Sequence, residues 1–427
     1  MIDPVRVVAF EVLRAVDDRD SYVNLLLPTL LRERDITGRD AAFATELTHG
    51  TLRGRGRYDA IIDHVASKGI GAIDPPVLDA LRLGVHQLLG MRVPAHAAVS
   101  TTVDLVRRGI GHKPVHFVNA LLRRIASRDL ESWLADVTAS LTPDEALAVQ
   151  TSHPLWIVEA LREALDGDEQ ALRQLLDADN EPPLVTLVAR PGLCEPGDLP
   201  GVPGRHSPYA RVLDAGGDPG AVPQVRDRRA GVQDEGSQMV AITLADAPLD
   251  GSDTTWLDLC AGPGGKAALL AAIADQRGAT LVANEMQEHR AELVRQALRR
   301  LPSAAVTVHD GREGPWAAGS FDRVLVDAPC TGLGALRRRP ESRWRRRASD
   351  LEGLVPLQTA LLERALELVR PGGVVCYATC SPHRAETQGV VDAVLAGASD
   401  VEVVSSQQWW PHVDGTDAMH ATVLRRR

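Results

Sequence analysis

A chain of 427 residues is too long for one ordinary hydrophobic core, so two or three domains are expected. Its composition, 44% apolar and 24% charged, excludes pervasive disorder, and no stretch approaches the roughly 20 apolar residues of a membrane span. A net charge of −10 excludes a protein that coats nucleic acid indiscriminately, because counterion release needs a basic surface, but it permits a local basic patch. Five irregularly spaced cysteines imply reduced thiols and a cytoplasmic setting. Of 47 basic residues only Lys68, Lys113 and Lys266 are lysine, so arginine runs carry less weight here than elsewhere.

The N-terminal run MIDPVRVVAFEVLRAVDD carries Asp3, Arg6 and Glu11 inside its apolar pattern and reads as an amphipathic helix rather than a signal peptide. From Met1 to about Ser140 apolar residues recur at three and four, as in Val5, Val8, Val12 and Val16. Breaks at Gly38, Gly54–Gly56, Asp74–Pro76, Pro94 and Gly109–Pro114 predict six or seven helices, an all-α domain over residues 1–142. A segment over 143–232 mixes a helical stretch, Trp156–Leu176, with the strand-like PPLVTLVARPG, then a Gly/Pro-rich turn region at Pro196–Pro223; it predicts a small α+β linking domain.

From residue 233 to 427 strands alternate with helices, the pattern of a doubly wound, Rossmann-like α/β domain. Strands are expected at Thr255–Leu259, Thr280–Asn284, Ala305–His309, Arg323–Val326 and Val374–Ala378. The clearest helices are Glu288–Arg300 and Leu357–Val369, the latter stopped by Pro371-Gly372-Gly373. Arg425-Arg426-Arg427 reads as a solvated tail.

The run Asp258-Leu259-Cys260-Ala261-Gly262-Pro263-Gly264-Gly265-Lys266 is a strand end entering a glycine-rich turn and then a helix, which lets a ligand approach the backbone closely. Gly262, Gly264 and Ala267 satisfy G-x-G-x-x-A, a pattern that does not separate a dinucleotide from S-adenosylmethionine. A phosphate-binding P-loop is excluded by Cys260 and Ala267 at its defining positions. Four carboxylates fall at expected strand ends: Asp258, Glu285 for ribose hydroxyls, Asp310 for an adenine amino group, and Asp327. Together they suit a cationic sulfonium ligand better than a pyrophosphate.

Cys330 and Cys380 each sit in a turn just past a strand, and those strands are expected neighbours. Cytosine C5 becomes nucleophilic only after a thiolate adds at C6, so a cysteine beside the cofactor is what a cytosine-C5 methyltransferase requires. Asp327 could hold or protonate cytosine N3. Spacing leaves either thiol free to be the nucleophile. Cys194, Cys376 and Cys260 read as core residues, and a zinc site built from Cys376, Cys380 and His383 lacks a distant second ligand pair. Seven arginines with Trp344 between Arg337 and Arg347 could grip phosphates and stack on a base; Arg337, Arg338, Arg339, Arg343 and Trp344 are the candidates for RNA contact. Arg53, Arg55, Arg57, Arg123 and Arg124 are weaker ones.

DAPCTGLGALRRRPESRW, YATCSPH with Glu386 after it, DLCAGPGGK and VQDEGSQ together resemble the RNA 5-methylcytidine methyltransferases. Across the whole chain the resemblance is to the bacterial 16S rRNA (cytosine-C5) methyltransferase RsmB (Sun/Fmu) family. FATELTHGTLR, LRLGVHQLLG, PAHAAVSTTVDL and FVNALLRRI are similar to its NusB-like N-terminal domain, while HPLWIVEAL and DNEPPLVTLVAR resemble its linking segment. That resemblance implies S-adenosylmethionine as cofactor, Cys380 adding to C6, and Cys330 assisting release of the methylated product. Asp258, Cys260, Ala261, Gly262, Pro263, Gly264, Gly265, Lys266, Glu285, Arg290, Asp310 and Asp327 would line the cofactor and base pockets. It also implies 16S rRNA as partner, free or in an early small-subunit assembly, with a monomeric enzyme and neither metal nor membrane. This chain departs from the family at Glu285, where Asp is usual, at HRAE after Cys380, and at VTLVAR. Two other readings remain compatible with these residues: methylation of tRNA or another RNA, and a non-catalytic adaptor that senses S-adenosylmethionine.

Overall fold

The computed structural model describes residues 3–19, 21–214 and 218–427; three positions of the Gly/Pro-rich turn region, 215–217, and the first two of the N-terminal helical pattern lie outside the described residues. The chain divides into two compact units. One comprises Met1–Arg162, Leu172–Pro182 and Leu336–Arg345, the other Glu163–Ala171, Pro183–Ala335 and Arg346–Arg427. The stretch 143–232 is thus shared between them. No helix among the described residues is long and apolar enough to cross a membrane.

The first unit is helical. Before Ser140 it has eight α-helices among the described residues, one or two more than expected. Helices begin at Gly38, Arg55, Pro75, Ala95 and Val115, at or next to the glycine and proline breaks. A break that no glycine or proline announces comes at Asp129, whose carboxylate accepts from Ser132 N at 2.8 Å and caps the helix Leu130–Thr138. The three-and-four pattern of the first helix buries Val5, Val8, Val12 and Val16 against Val23, Leu27, Leu47 and Leu52. The expected helical stretch from Trp156 to Leu176 is two helices, Leu155–Ala164 and Glu169–Ala178, because Asp166 and Gly167 both take positive φ, 55° and 80°.

The second unit holds two sheets. In the smaller, β1 (Thr186–Ala189), β2 (Val202–Pro203), β3 (Ala210–Val212) and β4 (Ala230–Val232) pair antiparallel in the order β2-β3-β1-β4. The larger contains β5 (Thr255–Asp258), β6 (Thr280–Asn284), β7 (Ala304–Thr307), β8 (Phe321–Asp327), β9 (Val369–Thr379), β10 (Val401–Gln408) and β11 (His420–Arg426), in the order β10-β11-β9-β8-β5-β6-β7. β5 to β9 run parallel, so their carboxyl ends gather along one edge; β11 is antiparallel between β9 and β10. The helix Gly265–Gln276 is buried from Ala267 to Ala274 and packs with Trp256, Leu281 and Val294.

Three expectations are corrected here. β10 and β11 were not foreseen: the central residues of β11 are buried, so the strand lacks the polar/apolar alternation that reveals a half-buried one. The expected solvated tail is largely that strand. Arg425 Nη2 donates to Pro248 O at 2.9 Å, and Arg426 Nη1 donates to the carbonyls of Leu366, Glu367 and Val369. Finally, the helix before β9 runs Leu351–Leu368, starting earlier than Leu357, and Pro371-Gly372-Gly373 are taken into β9.

Candidate active site

β5 ends at Asp258, and the chain turns through Gly264 into the helix starting at Gly265. Gly264 has φ 108°, and a Cβ on it would lie 2.8 Å from that of Ala297; a Cβ on Gly262 would lie 2.1 Å from Glu285 Oε2. Gly264 admits only glycine, whereas a side chain on Gly262 would have to displace the Glu285 carboxylate and the Arg290 guanidinium. Ala261 N donates to Asn284 O at 2.7 Å, and Gly264 N donates to Ala261 O at 2.7 Å, while Pro263 stands exposed at the tip. Glu285, past the end of β6, is pinned from two sides. Gln287 N donates to its Oε1 at 3.0 Å, and Arg290 places Nε 3.5 Å from Oε2 while donating from Nη2 to Gly262 O at 2.7 Å. Asn284, which sequence reasoning did not single out, is buried and donates from Nδ2 to Leu259 O and His309 O, each at 3.0 Å. It ties together the turns following β5 and β7; a polar residue ending an apolar strand was its only signal.

The charges here are unequal. Asp258 is fully buried, and among the described residues its carboxylate oxygens meet no donor in good hydrogen-bond geometry, the backbone of Cys260 lying nearest; burial, with the charge of Asp327 adding to it, pushes this acid up to about 8. Lys266 Nζ donates to Asp327 Oδ2 at 2.8 Å. Burial alone would lower the ammonium, but Asp327, with Cys380 and Asp258 adding to it, holds Lys266 above its usual value. Asp310 is half-buried and chelated by Arg312, whose Nε and Nη2 donate at 3.0 and 2.6 Å; those hydrogen bonds lower its carboxyl. A narrow glycine turn beside a buried acid, near Glu285 and Asp327, fits a ligand bearing cationic groups. S-adenosylmethionine, with its ammonium and sulfonium, is such a ligand; a pyrophosphate is not.

β8 and β9 are parallel neighbours with Asp327 opposite Ala378, and their following turns bring Cys330 Sγ to 3.4 Å from Cys380 Sγ. The hydrogen bond to Cys380 is the main reason the Cys330 thiol is held well above its ordinary value, followed by burial and then the charges of Cys380, Glu386 and Asp327. Cys260 is likewise pushed up, by burial and by Asp258, Asp327 and Glu285, so it is a neutral thiol beside the glycine turn. Cys194 and Cys376 are buried. Beneath the sulfur pair lies a polar group that sequence reasoning had only as part of a motif. Glu386 Oε1 accepts from Thr331 N at 2.8 Å and Gln358 Nε2 at 3.0 Å, its Oε2 accepts from Thr331 Oγ1, and Thr331 Oγ1 lies 3.0 Å from Ser381 Oγ.

The arginine-rich segment departs from expectation. Leu336–Arg345 belongs to the helical unit. Arg343 is fully buried; Nη1 donates to Asn180 Oδ1 at 2.8 Å and Ser152 O at 3.1 Å, and Nη2 to Asp179 O at 2.6 Å. Both of its terminal nitrogens are taken by the protein's own acceptors, and the buried guanidinium has no face for RNA. Trp344 packs so closely on Gly56 that a Cβ there would lie 2.7 Å from the indole, and Arg55 sits 6.0 Å from its ring centre. Arg337 is buried and Arg338 half-buried, whereas Arg339 is exposed with its guanidinium 5.3 Å over the Tyr22 ring. The run looked like a solvated basic strip because sequence does not distinguish a guanidinium that meets water from one that meets carbonyls.

A seven-stranded sheet with one antiparallel strand beside the parallel set, a glycine turn after its first parallel strand and acids at the strand ends define an S-adenosylmethionine-dependent methyltransferase. Residues 247–425 match the family model of the 16S rRNA methyltransferase RsmB/F, and residues 3–127 match the NusB family. A methyltransferase-named protein of Mycobacterium tuberculosis is 51% identical, covering 100% of this chain and 97% of its own. The ribosomal RNA small subunit methyltransferase B of Vibrio cholerae is 30% identical, covering 99% and 98%. The solved structure of PH0851 shares the fold at TM-score 0.84 and 20% identity, over 100% of this chain and 99% of that one. The chain belongs to the RsmB/F family of RNA cytosine-C5 methyltransferases, with a NusB-like N-terminal domain, and uses S-adenosylmethionine.

Proposed function

We propose that this enzyme methylates C5 of a cytidine in 16S rRNA through a covalent bond between Cys380 and C6 of the base. The observation that carries the reading is the sulfur pair, 3.4 Å apart at the ends of adjacent strands. Cys330, held as a thiol chiefly by its hydrogen bond to Cys380, acts as donor, which leaves Cys380 as the better thiolate. Lys266 is close enough to Cys380 for that charge to raise it, so its ammonium also favours a Cys380 thiolate.

Cys380 adds to C6 while N3 takes a proton from solvent, which it returns when Cys380 leaves; Asp327, steadied by Lys266, holds that edge of the base. S-adenosylmethionine, bound by the glycine turn, Glu285 and Asp258, supplies the electrophilic methyl group that the activated C5 takes. Once Cys380 is bonded to carbon it carries no negative charge, and Cys330 loses the principal cause of its raised pKa. Cys330 can then shed its proton to solvent and accept the proton from C5. The electrons of that C–H bond re-form the C5–C6 double bond and expel Cys380 as thiolate. The base must leave its stack to meet both sulfurs, which favours a loop or locally opened RNA. Of the arginines first considered for RNA contact, Arg339 keeps an exposed guanidinium suited to a phosphate.

The test is methyl transfer from labelled S-adenosylmethionine to unmodified small-subunit rRNA, with tRNA as competitor, in the wild type, Cys380→Ala and Cys330→Ala. Transfer to rRNA that Cys380→Ala abolishes, with a denaturation-resistant protein–RNA adduct accumulating in Cys330→Ala, is expected. Preference for tRNA would refute the substrate; an adduct in Cys380→Ala would refute the assignment of the nucleophile.

A further inference from the structure

Glu386 is a fully buried carboxylate six residues past Cys380, and no step above uses it. Its oxygens are engaged from two directions. Thr331, next to Cys330, donates both its backbone N–H and its hydroxyl, and Gln358 donates from Nε2 at 3.0 Å while the same nitrogen donates to Pro329 O at 2.8 Å. Residues on both sides of Cys330 are therefore held through one carboxylate. The Cys380 side is tied in as well: Ser381 Oγ lies 3.0 Å from Thr331 Oγ1, and Gly334 N donates to Cys380 O at 2.9 Å. Glu386 is itself fixed by Tyr377, whose hydroxyl donates to its carbonyl at 2.6 Å. Burying a carboxylate costs several kcal/mol unless its lone pairs are answered, and here the answers come from Thr331 in the Cys330 turn and Gln358 on the helix behind it.

We propose that Glu386 is the positioning residue of the sulfur pair: its side chain, carried on the segment that follows Cys380, takes both hydrogen bonds of Thr331 and so locks the Cys330 turn to the Cys380 turn. The inference rests on the division of roles between the two thiols proposed above. The groups facing Cys330 are Asp327 from the end of β8, Tyr377 from β9, and Cys380 and Glu386 from the turn that follows it; Lys266 acts on Cys380 from the glycine-turn helix. Of these, Glu386 raises Cys330 and touches neither base nor cofactor in the proposed mechanism, so changing it alters Cys330 without altering the other reacting groups.

Hydrogen bonding and charge separate by substitution. Glu386→Gln keeps an acceptor for Thr331 N and removes the charge; Glu386→Ala removes both. With rRNA and S-adenosylmethionine at saturation, decay of the protein–RNA adduct is followed against pH. Glu386→Ala is expected to slow decay roughly 100-fold, the size of effect that an ångström of misplacement produces, with cofactor affinity unchanged. In Glu386→Gln the pH at which decay becomes fast is expected to move down by about one unit, as removal of a neighbouring like charge requires, and that shift should vanish when Cys330→Ala is added. A merely structural role would lower stability without moving the pH profile. If Glu386→Gln leaves the profile where it was, or moves it equally with Cys330 absent, the inference is overturned; should Glu386→Ala not fold, this Gln comparison decides. An adduct that forms in Cys380→Ala identifies instead a failure of the thiol roles, and the inference falls with them.

Discussion

Two cations, Lys266 in the methyltransferase unit and Arg343 in the helical unit, are answered differently. In the methyltransferase unit Lys266 meets a carboxylate, Asp327, at 2.8 Å and is raised above its usual value. In the helical unit Arg343 meets neutral acceptors, the carbonyls of Ser152 and Asp179 and the side-chain oxygen of Asn180; burial pushes it down to about 10, against the opposing charge of Asp179. His153, buried nearby, is held far below its ordinary value by burial and then by the Arg343 charge, so it is neutral. A cation answered by a carboxylate that is itself one-quarter exposed remains available to a ligand. A guanidinium whose donors are spent on backbone carbonyls is a staple.

That contrast can be broken, and the largest effect belongs to the reacting pair. Cys380→Ala should abolish methyl transfer altogether while leaving S-adenosylmethionine binding intact, as measured by labelled-methyl incorporation alongside calorimetry. Next, Asp327→Asn should lower kcat roughly 100-fold, in the range for loss of a positioned acid–base group. If Asp327 were only structural, kcat would stay near wild type and stability alone would fall. On the other side, Arg343→Met should leave Ser152 O and Asp179 O without their donors and destabilise the protein by about 3 kcal/mol in urea denaturation. Arg343→Lys should fare little better, since an ammonium cannot span the same fork of acceptors. A loss of RNA affinity without loss of stability would contradict the staple.

A pH series sharpens the comparison with a smaller effect. Asp258 has its folded pKa raised to about 8 by burial, so between about pH 4 and 8 the unfolded chain ionises this acid while the folded one retains the proton. Its contribution is therefore full at low pH and is lost as pH rises through that window, by about 1.4 kcal/mol per unit before compensation by other groups. Asp258→Asn should flatten that part of the stability curve in the cofactor-free protein; an unchanged slope would mean that Asp258 is ionised in the fold. Last and smallest, Arg339→Ala should change stability by less than about 0.5 kcal/mol, as surface substitutions do, while weakening RNA binding and reducing its salt dependence.

Much of the methyltransferase unit was legible because parallel strands and the turns behind them leave local marks: apolar runs, a glycine turn where φ 108° is needed at Gly264, and Cys330 and Cys380 each just past a strand. The helical unit was legible from its three-and-four periodicity, except where Asp129 caps a helix with no glycine or proline to announce it. What sequence did not reveal depends on partners far along the chain. β11 is buried between β9 and β10, so its register is invisible in its own residues, and the terminal arginines were misread with it. Glu386, Gln358 and Thr331 look ordinary until β8 and β9 lie side by side, and Arg343 is indistinguishable from its exposed neighbours until the carbonyls of residues 152 and 179 surround it. Sequence by itself determined the class of chemistry, because thiols, acids and glycines are required by residue type. Tertiary structure decided how far the Cys330 thiol is raised and which arginines meet water, because solvation and pKa are set by surroundings that only folding assembles.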